Sequence, residues 1–156
     1  MRAIDSALAQ THPIDEIIVI DDGSSDGTGA VVQDALLPCP VRYIRLEGNK
    51  NRARARNAGA SQARGEFLLF LDAEMLCPPG LLKAHVDLHR RFSPCAVCGW
   101  HWRLDRPLAE PPVGDWVGRL QRVRHSSGAF PGVNTASFIV PFVTANASCR
   151  REDALE

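Results

Sequence analysis

One pattern constrains this chain more than any other, and it occurs twice: a short unbroken apolar run that ends in carboxylates. Ile17-Ile18-Val19-Ile20 runs into Asp21-Asp22, and Phe67-Leu68-Leu69-Phe70-Leu71 runs into Asp72-Ala73-Glu74. Neither run alternates apolar with polar residues, so neither suits a strand with one wet face. Both suit strands covered on both sides, as in parallel sheets layered between helices. The carboxylates then gather beyond the carboxyl ends of the strands, the rim on which open α/β sheets bind ligands. A single aspartate there often serves only as a turn residue or helix cap. The repetition is what points to a site.

The segments around the two runs fit that architecture. Residues 3–10, with Ile4 and Leu8 one turn apart, predict a short helix closed by His12-Pro13. Glu16 to Ile20 is the first strand, and the polar turn Asp21 to Thr28 leads into a helix through Leu37, with Ser25 or Asp26 as its cap. Val41 to Leu46 reads as a strand, Asn49 to Arg64 as an alanine- and arginine-rich helix, and Glu66 to Leu71 as the next strand. Pro78-Pro79 opens a helix to Phe92 that aligns Leu81, His85, Leu88 and Phe92 on one face. Beyond Pro94 the pattern weakens. Cys95 to Leu104 suits a strand, 105–115 a proline-rich loop, Trp116 to Arg124 a helix, His125 to Val133 a loop, and Phe138 to Val143 an edge or bulged strand broken by Pro141. Alternating strands and helices predict βαβ units and a mainly parallel sheet.

Composition removes several classes of function. At 156 residues and 17.1 kDa, the chain is one ordinary domain or a piece of a larger one. Hydrophobic residues at 45% and charged residues at 23% suit a packed core rather than a disordered chain. Eighteen basic residues balance 18 acidic ones, which gives no overall attraction to nucleic acid or an anionic membrane. The apolar runs are too short to span a bilayer, and the first residues do not form a signal peptide. Five cysteines at irregular spacing argue for a reducing compartment, hence the cytoplasm.

An Asp-x-Glu pair can hold a hard divalent cation whose remaining ligands are phosphate oxygens. Lys50, Arg52, Arg54 and Arg56 open the alanine-rich helix nearby, and guanidinium groups suit phosphate. Without interleaved aromatics, this basic segment is a poor nucleic-acid patch. Other features carry less. His85 and His89 have a zinc-pair spacing, but Val86 stands where a zinc protease has Glu. Cys95 and Cys98 lack a second such pair and read as packing residues. Trp100, Trp102 and Trp116 suit core or interface packing better than sugar stacking. His125-Ser126-Ser127 with Asp115 has no nucleophile elbow, so it makes no hydrolase triad.

The stretch from Ile18 to Thr28 strongly resembles the nucleotide-binding segment of family 2 glycosyltransferases. The likeness continues in order through Arg54-Ala55-Arg56-Asn57-Ala58-Gly59, Gly65-Glu66-Phe67 and Phe70-Leu71-Asp72-Ala73-Glu74-Met75 with Pro78 and Leu81. Ala3 to Thr11 resembles the family's first helix, and Asn146-Ala147-Ser148 with Arg150-Arg151 resembles a segment on its acceptor side. The match is dense over residues 3–92 and looser over 93–156, which divides the chain into a nucleotide-sugar-binding half (1–92) and a partial acceptor-side segment (93–156).

This resemblance implies a GT-A-like α/β fold and metal-assisted transfer, with inversion, from a nucleotide-diphospho-sugar to an acceptor hydroxyl. A UDP-sugar is the first choice of donor, Mg²⁺ or Mn²⁺ the cation, and the acceptor an unspecified glycan, lipid or protein, in polysaccharide or glycoconjugate biosynthesis. The expected location is cytoplasmic, with peripheral association at the inner face of the membrane left open, and nucleic acid is no partner. By position, Asp21 would contact the base with Asp22 beside the base or ribose, and Arg52 or Arg56 would lie near the nucleotide. Asp72 would face ribose or metal, and Glu74 would bind the metal where the family usually has Asp. The chain opens in a helix and closes on the first turn of another, so it reads as cut at both ends. The family's first strand, which runs between those ending at Asp21 and Leu71, is expected before residue 1, and the catalytic base after Glu156. The alternative is a non-catalytic nucleotide-sugar-binding module or an inactive fragment.

Overall fold

The computed structural model describes residues 2–35, 39–48, 51–92, 94–99 and 146–155. The elements follow the expected alternation: α1 (Arg2–Leu8), β1 (Ile17–Asp21), α2 (Thr28–Gln33), β2 (Val41–Arg45), α3 (Arg52–Gln62), β3 (Phe67–Leu71) and α4 (Leu81–Arg91), then β4 (Val97–Cys98) and β5 (Asn146–Arg150). The architecture is α/β, as expected. β1 and β2 pair in parallel from Ile17↔Val41 to Asp21↔Arg45, while β3-β5-β4 form a second, antiparallel sheet. Among the described residues no ladder joins β1 to β3, and the seam between them is where the resemblance expects one more strand.

Local chemistry explains the boundaries. Asn51 caps α3, its side-chain oxygen accepting from the amides of Ala53 and Arg54 at 3.0 and 3.2 Å. Asp26 accepts from the Thr28 amide at 3.1 Å and its hydroxyl at 2.6 Å, so it secures the start of α2 from just outside the helix. α3 runs back across β1, with Gly59 against Ile20 and Ala60 buried. At the end of α3, Gln62 takes the Arg42 guanidinium on its carbonyl (2.8 Å) and side-chain oxygen (3.0 Å), and the Arg64 amide donates to Glu16 at 2.7 Å. Glu16 also pairs with Arg42 at 3.3 Å. These bonds set the start of β3 beside the start of β1. Earlier in α3, Gly59 lies against Ile20 and Arg56 reaches Asp72, so the carboxylate ends of β1 and β3 both lie toward the N-terminal half of that helix.

Two features depart from the expectations. Of the stripe Leu81, His85, Leu88 and Phe92, His85 alone is buried; α4 buries it together with Val86 and His89, while Leu88 and Phe92 are exposed. The reason lies in β5, whose Ser148 hydroxyl sits 2.7 Å from His85 Nδ1 and 2.7 Å from His89 Nε2. One hydroxyl proton serves one ring, and the other ring donates its own N–H, so both neutral imidazoles are satisfied inside. His89 also stacks on Phe67 at 5.0 Å, and its Nδ1 lies 3.4 Å from Cys95 Sγ. The second departure is β5 itself, a strand where none was expected. The expected strand Phe138 to Val143, the helix from Trp116, both intervening loops, Lys50, and the hydrolase-like His125-Ser126-Ser127 with Asp115 lie outside the described residues. So do Trp100 and Trp102.

Burial lowers the pKa of both histidines, helped at His85 by its neighbour His89 and at His89 by Arg150; Asn146 and Asp153 act the other way. The fold therefore holds them neutral while the unfolded chain protonates them near 6.5. Their contribution is complete above that value and falls as pH drops below it toward the folded pKa values. Ser148→Ala should cost about 1–3 kcal/mol for each imidazole nitrogen left unpartnered. Urea melts of the two proteins between pH 8 and about 5 should show both the loss and the acid slope.

Candidate functional site

The rim begins where β1 runs out. Asp21 is the last residue of β1 and its side chain is 1% exposed. One carboxylate oxygen accepts from the Ser24 amide at 2.6 Å, which closes the turn over Gly23. Gly23 has φ +92°, the left-handed region a side chain would disfavour. The other oxygen accepts the Tyr43 hydroxyl and lies 3.6 Å from the Arg45 guanidinium. Arg45 reaches on to the Ser24 carbonyl at 3.0 Å. The Tyr43 hydrogen bond, with the Ser24 amide and Arg45 behind it, outweighs burial and holds the Asp21 pKa at about 2. Asp21 is thus a committed carboxylate that organises the turn.

Its neighbour is in the opposite situation. Asp22 is half-buried, and its Oδ1, out of contact with water, has no hydrogen-bond partner among the described residues. A buried carboxylate oxygen without a donor is costly, and one at a ligand rim is readily accounted for by a donor that arrives with the ligand. Of the adjacent pair, Asp22 has the unpartnered acceptor.

The second cluster stands at the end of β3. Asp72 pairs with Arg56 of α3 at 3.0 Å, both partly exposed. Glu74 is exposed, and the Met75 amide donates to the Asp72 carbonyl at 2.9 Å, turning the chain just beyond β3. Arg54 donates to the Glu47 carbonyl at 3.1 Å, whereas Arg52 is exposed. The structure brings together Arg56 and Asp72, and Asp21 with its Tyr43 and Arg45 supports. Glu74 and Arg52 are exposed and make no hydrogen bond or ion pair with that group among the described residues.

Sequence reasoning missed several supporting residues. Tyr43 is the only tyrosine in the chain, and parallel pairing sets Arg45 beside Asp21 with Tyr43 on the same face. The strand register was the signal. Ser6 and Gln10 are further omissions. Ser6 Oγ accepts from the Cys77 amide at 3.0 Å, and Gln10 bridges the Pro78 carbonyl at 2.8 Å and the Leu82 amide at 2.9 Å. The end of α1 is thereby latched to the loop that follows Glu74. No pattern of apolar spacing reports such a latch.

Among the described residues no group of three or more His, Cys, Asp or Glu side chains is arranged to hold a metal ion by itself. Asp72 and Glu74 nevertheless supply two hard oxygen donors on an open rim, which fits a cation that takes few protein carboxylates and completes its shell with phosphate and water. No helix among the described residues is long and apolar enough to cross a membrane.

Comparison with known proteins adds a family. The model of glycosyl transferase family 2 matches residues 1–154. The succinoglycan biosynthesis protein ExoO of Rhizobium meliloti is 42% identical over 88 residues, covering 56% of this chain and 25% of that protein. An uncharacterised Bacillus subtilis glycosyltransferase, YfnE, is 34% identical over 88 residues, 56% of this chain and 22% of its own. The poly-beta-1,6-N-acetyl-D-glucosamine synthase of Staphylococcus epidermidis is 38% identical over 71 residues, 46% of this chain and 17% of the synthase. The match thus spans about a quarter or less of these relatives' own lengths.

Because Asp21 has a depressed pKa, its stabilising effect is present above 3.8 and disappears as pH falls through about 2. Asp21→Asn should lower stability at neutral pH by about 1–3 kcal/mol and flatten the acid limb of the stability profile. Guanidinium midpoints recorded from neutral pH down to about 2 would show this.

Proposed function

This chain belongs to glycosyl transferase family 2, and from that premise we propose that it carries the nucleotide-sugar site of an inverting sugar transferase. The observation that carries the reading is the shared rim: a half-buried, unpartnered Asp22 oxygen at one strand end and the Arg56–Asp72 pair at the other. A nucleobase N–H is a suitable donor for Asp22, while Asp21 holds the turn behind it. Asp72 serves the ribose or a cation, and Arg56 sets its orientation and adds positive charge near the diphosphate. Arg52, exposed on the same helix, is a further phosphate partner.

Mg²⁺ or Mn²⁺ would be held by Asp72 and Glu74, and when bound it supplies positive charge to the leaving diphosphate. The side chains do the rest by holding the donor still. The acceptor hydroxyl attacks the anomeric carbon from the face opposite the diphosphate, a new C–O bond forms, and the bond to the phosphate oxygen breaks with its electron pair. Holding the two reactants in line is a large part of such catalysis. The hydroxyl proton passes to a general base that is none of these six residues. Glutamate at position 74 carries the same charge as aspartate with one more methylene, and its exposure leaves the carboxylate free to meet a cation. We take UDP-sugar as the donor class and, from relatives named for succinoglycan and poly-N-acetylglucosamine synthesis, a growing glycan as the acceptor class.

Calorimetric titration of the chain with UDP, with and without Mn²⁺, tests the reading. Saturable binding should require the metal and weaken about tenfold or more in Asp72→Ala and Glu74→Ala, and Glu74→Asp should retain it. Metal-independent binding, or full affinity in both alanine variants, would remove the cation from the site. Binding without sugar transfer to any glycan acceptor would favour a binding module over an enzyme.

A further inference from the structure

Tyr43 lies on β2, outside the motifs at the two strand ends, yet it makes the principal contact to the buried Asp21. Its path to that carboxylate crosses α2 at Gly29. A β-carbon at Gly29 would stand 2.6 Å from the Tyr43 hydroxyl oxygen and 3.0 Å from the ring carbon that bears it. Glycine inside a helix is unfavourable by about 1 kcal/mol relative to alanine, so its place here coincides with the one approach that needs it. Residues from three elements thus converge: Asp21 closing β1, Gly29 in α2, and Tyr43 with Arg45 on β2.

We propose that Tyr43 is a positioning residue for nucleotide recognition, its hydroxyl seated over Gly29 and fastening Asp21 so that the turn holds the half-buried Asp22 carboxylate where the base meets it. This inference rests on the nucleotide-site reading above. The chain of contacts is short. Tyr43 fixes one oxygen of Asp21, the other oxygen fixes the Ser24 amide, and Asp22 and Gly23 lie between these anchors. Arg45 binds both ends, through Asp21 and the Ser24 carbonyl. If the Tyr43 contact is lost, the turn retains its covalent path but loses its reference to the sheet. The phosphate end of the rim, at Arg56, Asp72 and Glu74, belongs to other elements and is independent of this fastening.

That independence provides the test. The full chain and its Tyr43→Phe, Gly29→Ala and Asp22→Asn variants are titrated with UDP and, separately, with inorganic pyrophosphate, both in Mn²⁺. Circular dichroism establishes that each variant is folded at the titration temperature. An open hollow of about 500 Å³ beside Tyr43, Ser24 and Gln33 gives a displaced ring somewhere to go. Gly29→Ala therefore breaks the contact without removing any atom from Tyr43, and it carries the test should Tyr43→Phe not fold. The expected result is a UDP affinity about three- to tenfold weaker in both variants, a larger loss in Asp22→Asn, and unchanged pyrophosphate binding throughout. UDP affinity within about twofold of the parent in the folded variants would overturn the positioning role and leave the nucleotide site standing. Parallel losses of UDP and pyrophosphate would also overturn it, because general loosening would then suffice. A parent chain that binds no UDP in Mn²⁺ would overturn the nucleotide reading itself, and the positioning role with it.

Discussion

The arrangement depends on α3 acting as a tie between two sheets that share no ladder among the described residues. At one end its Arg56 holds Asp72; at the other, Gln62 and the following Arg64 hold Arg42 and Glu16. Between them, Gly59 and Ala60 press the helix onto β1. Backbone pairing within each sheet is indifferent to where the other sheet lies. The polar staples are what bring two sets of strand-end carboxylates to one rim. An exposed ion pair contributes little by itself, but this one is partly buried and connects elements that would otherwise lack a common frame.

Much of the fold was legible because the relevant signals are local. Apolar runs of the Ile17–Ile20 and Phe67–Leu71 kind have few alternatives to a covered strand, and Asn51 is a strong helix start. β5 was illegible for the opposite reason. Asn146-Ala147-Ser148-Cys149-Arg150 contains no β-branched or large apolar residue, and it is a strand because β3 and β4 flank it. The inward face of α4 was hidden by the same partner. Without Ser148 opposite, two imidazoles are a poor core, and Leu88 with Phe92 looks the better choice.

The candidate site divides along similar lines. Its carboxylates could be named from sequence because they end the strands, and the family to which the chain belongs was already visible in their order. By position the resemblance sets Asp21 on the base with Asp22 beside the base or ribose, but sequence does not show what each carboxylate already touches. Chemically they are identical neighbours; they differ in what a strand and a helix bring to each. Three-dimensional donors fill Asp21, and the absence of one distinguishes Asp22. An adjacent pair of like residues can in this way divide into a structural member and a receptive one, a distinction that lies in register and turn geometry.

The latch between α1 and the loop after Glu74 has a practical side. Gln10 and Thr11 grip Pro78, Pro79 and Leu82, so residues far earlier in the chain hold the loop that follows the Asp72–Glu74 cluster. A bulky group joined at Gln10 or Thr11 would crowd that loop. A small environment-sensitive dye attached there would serve as a vantage point from which to watch the rim fill and empty.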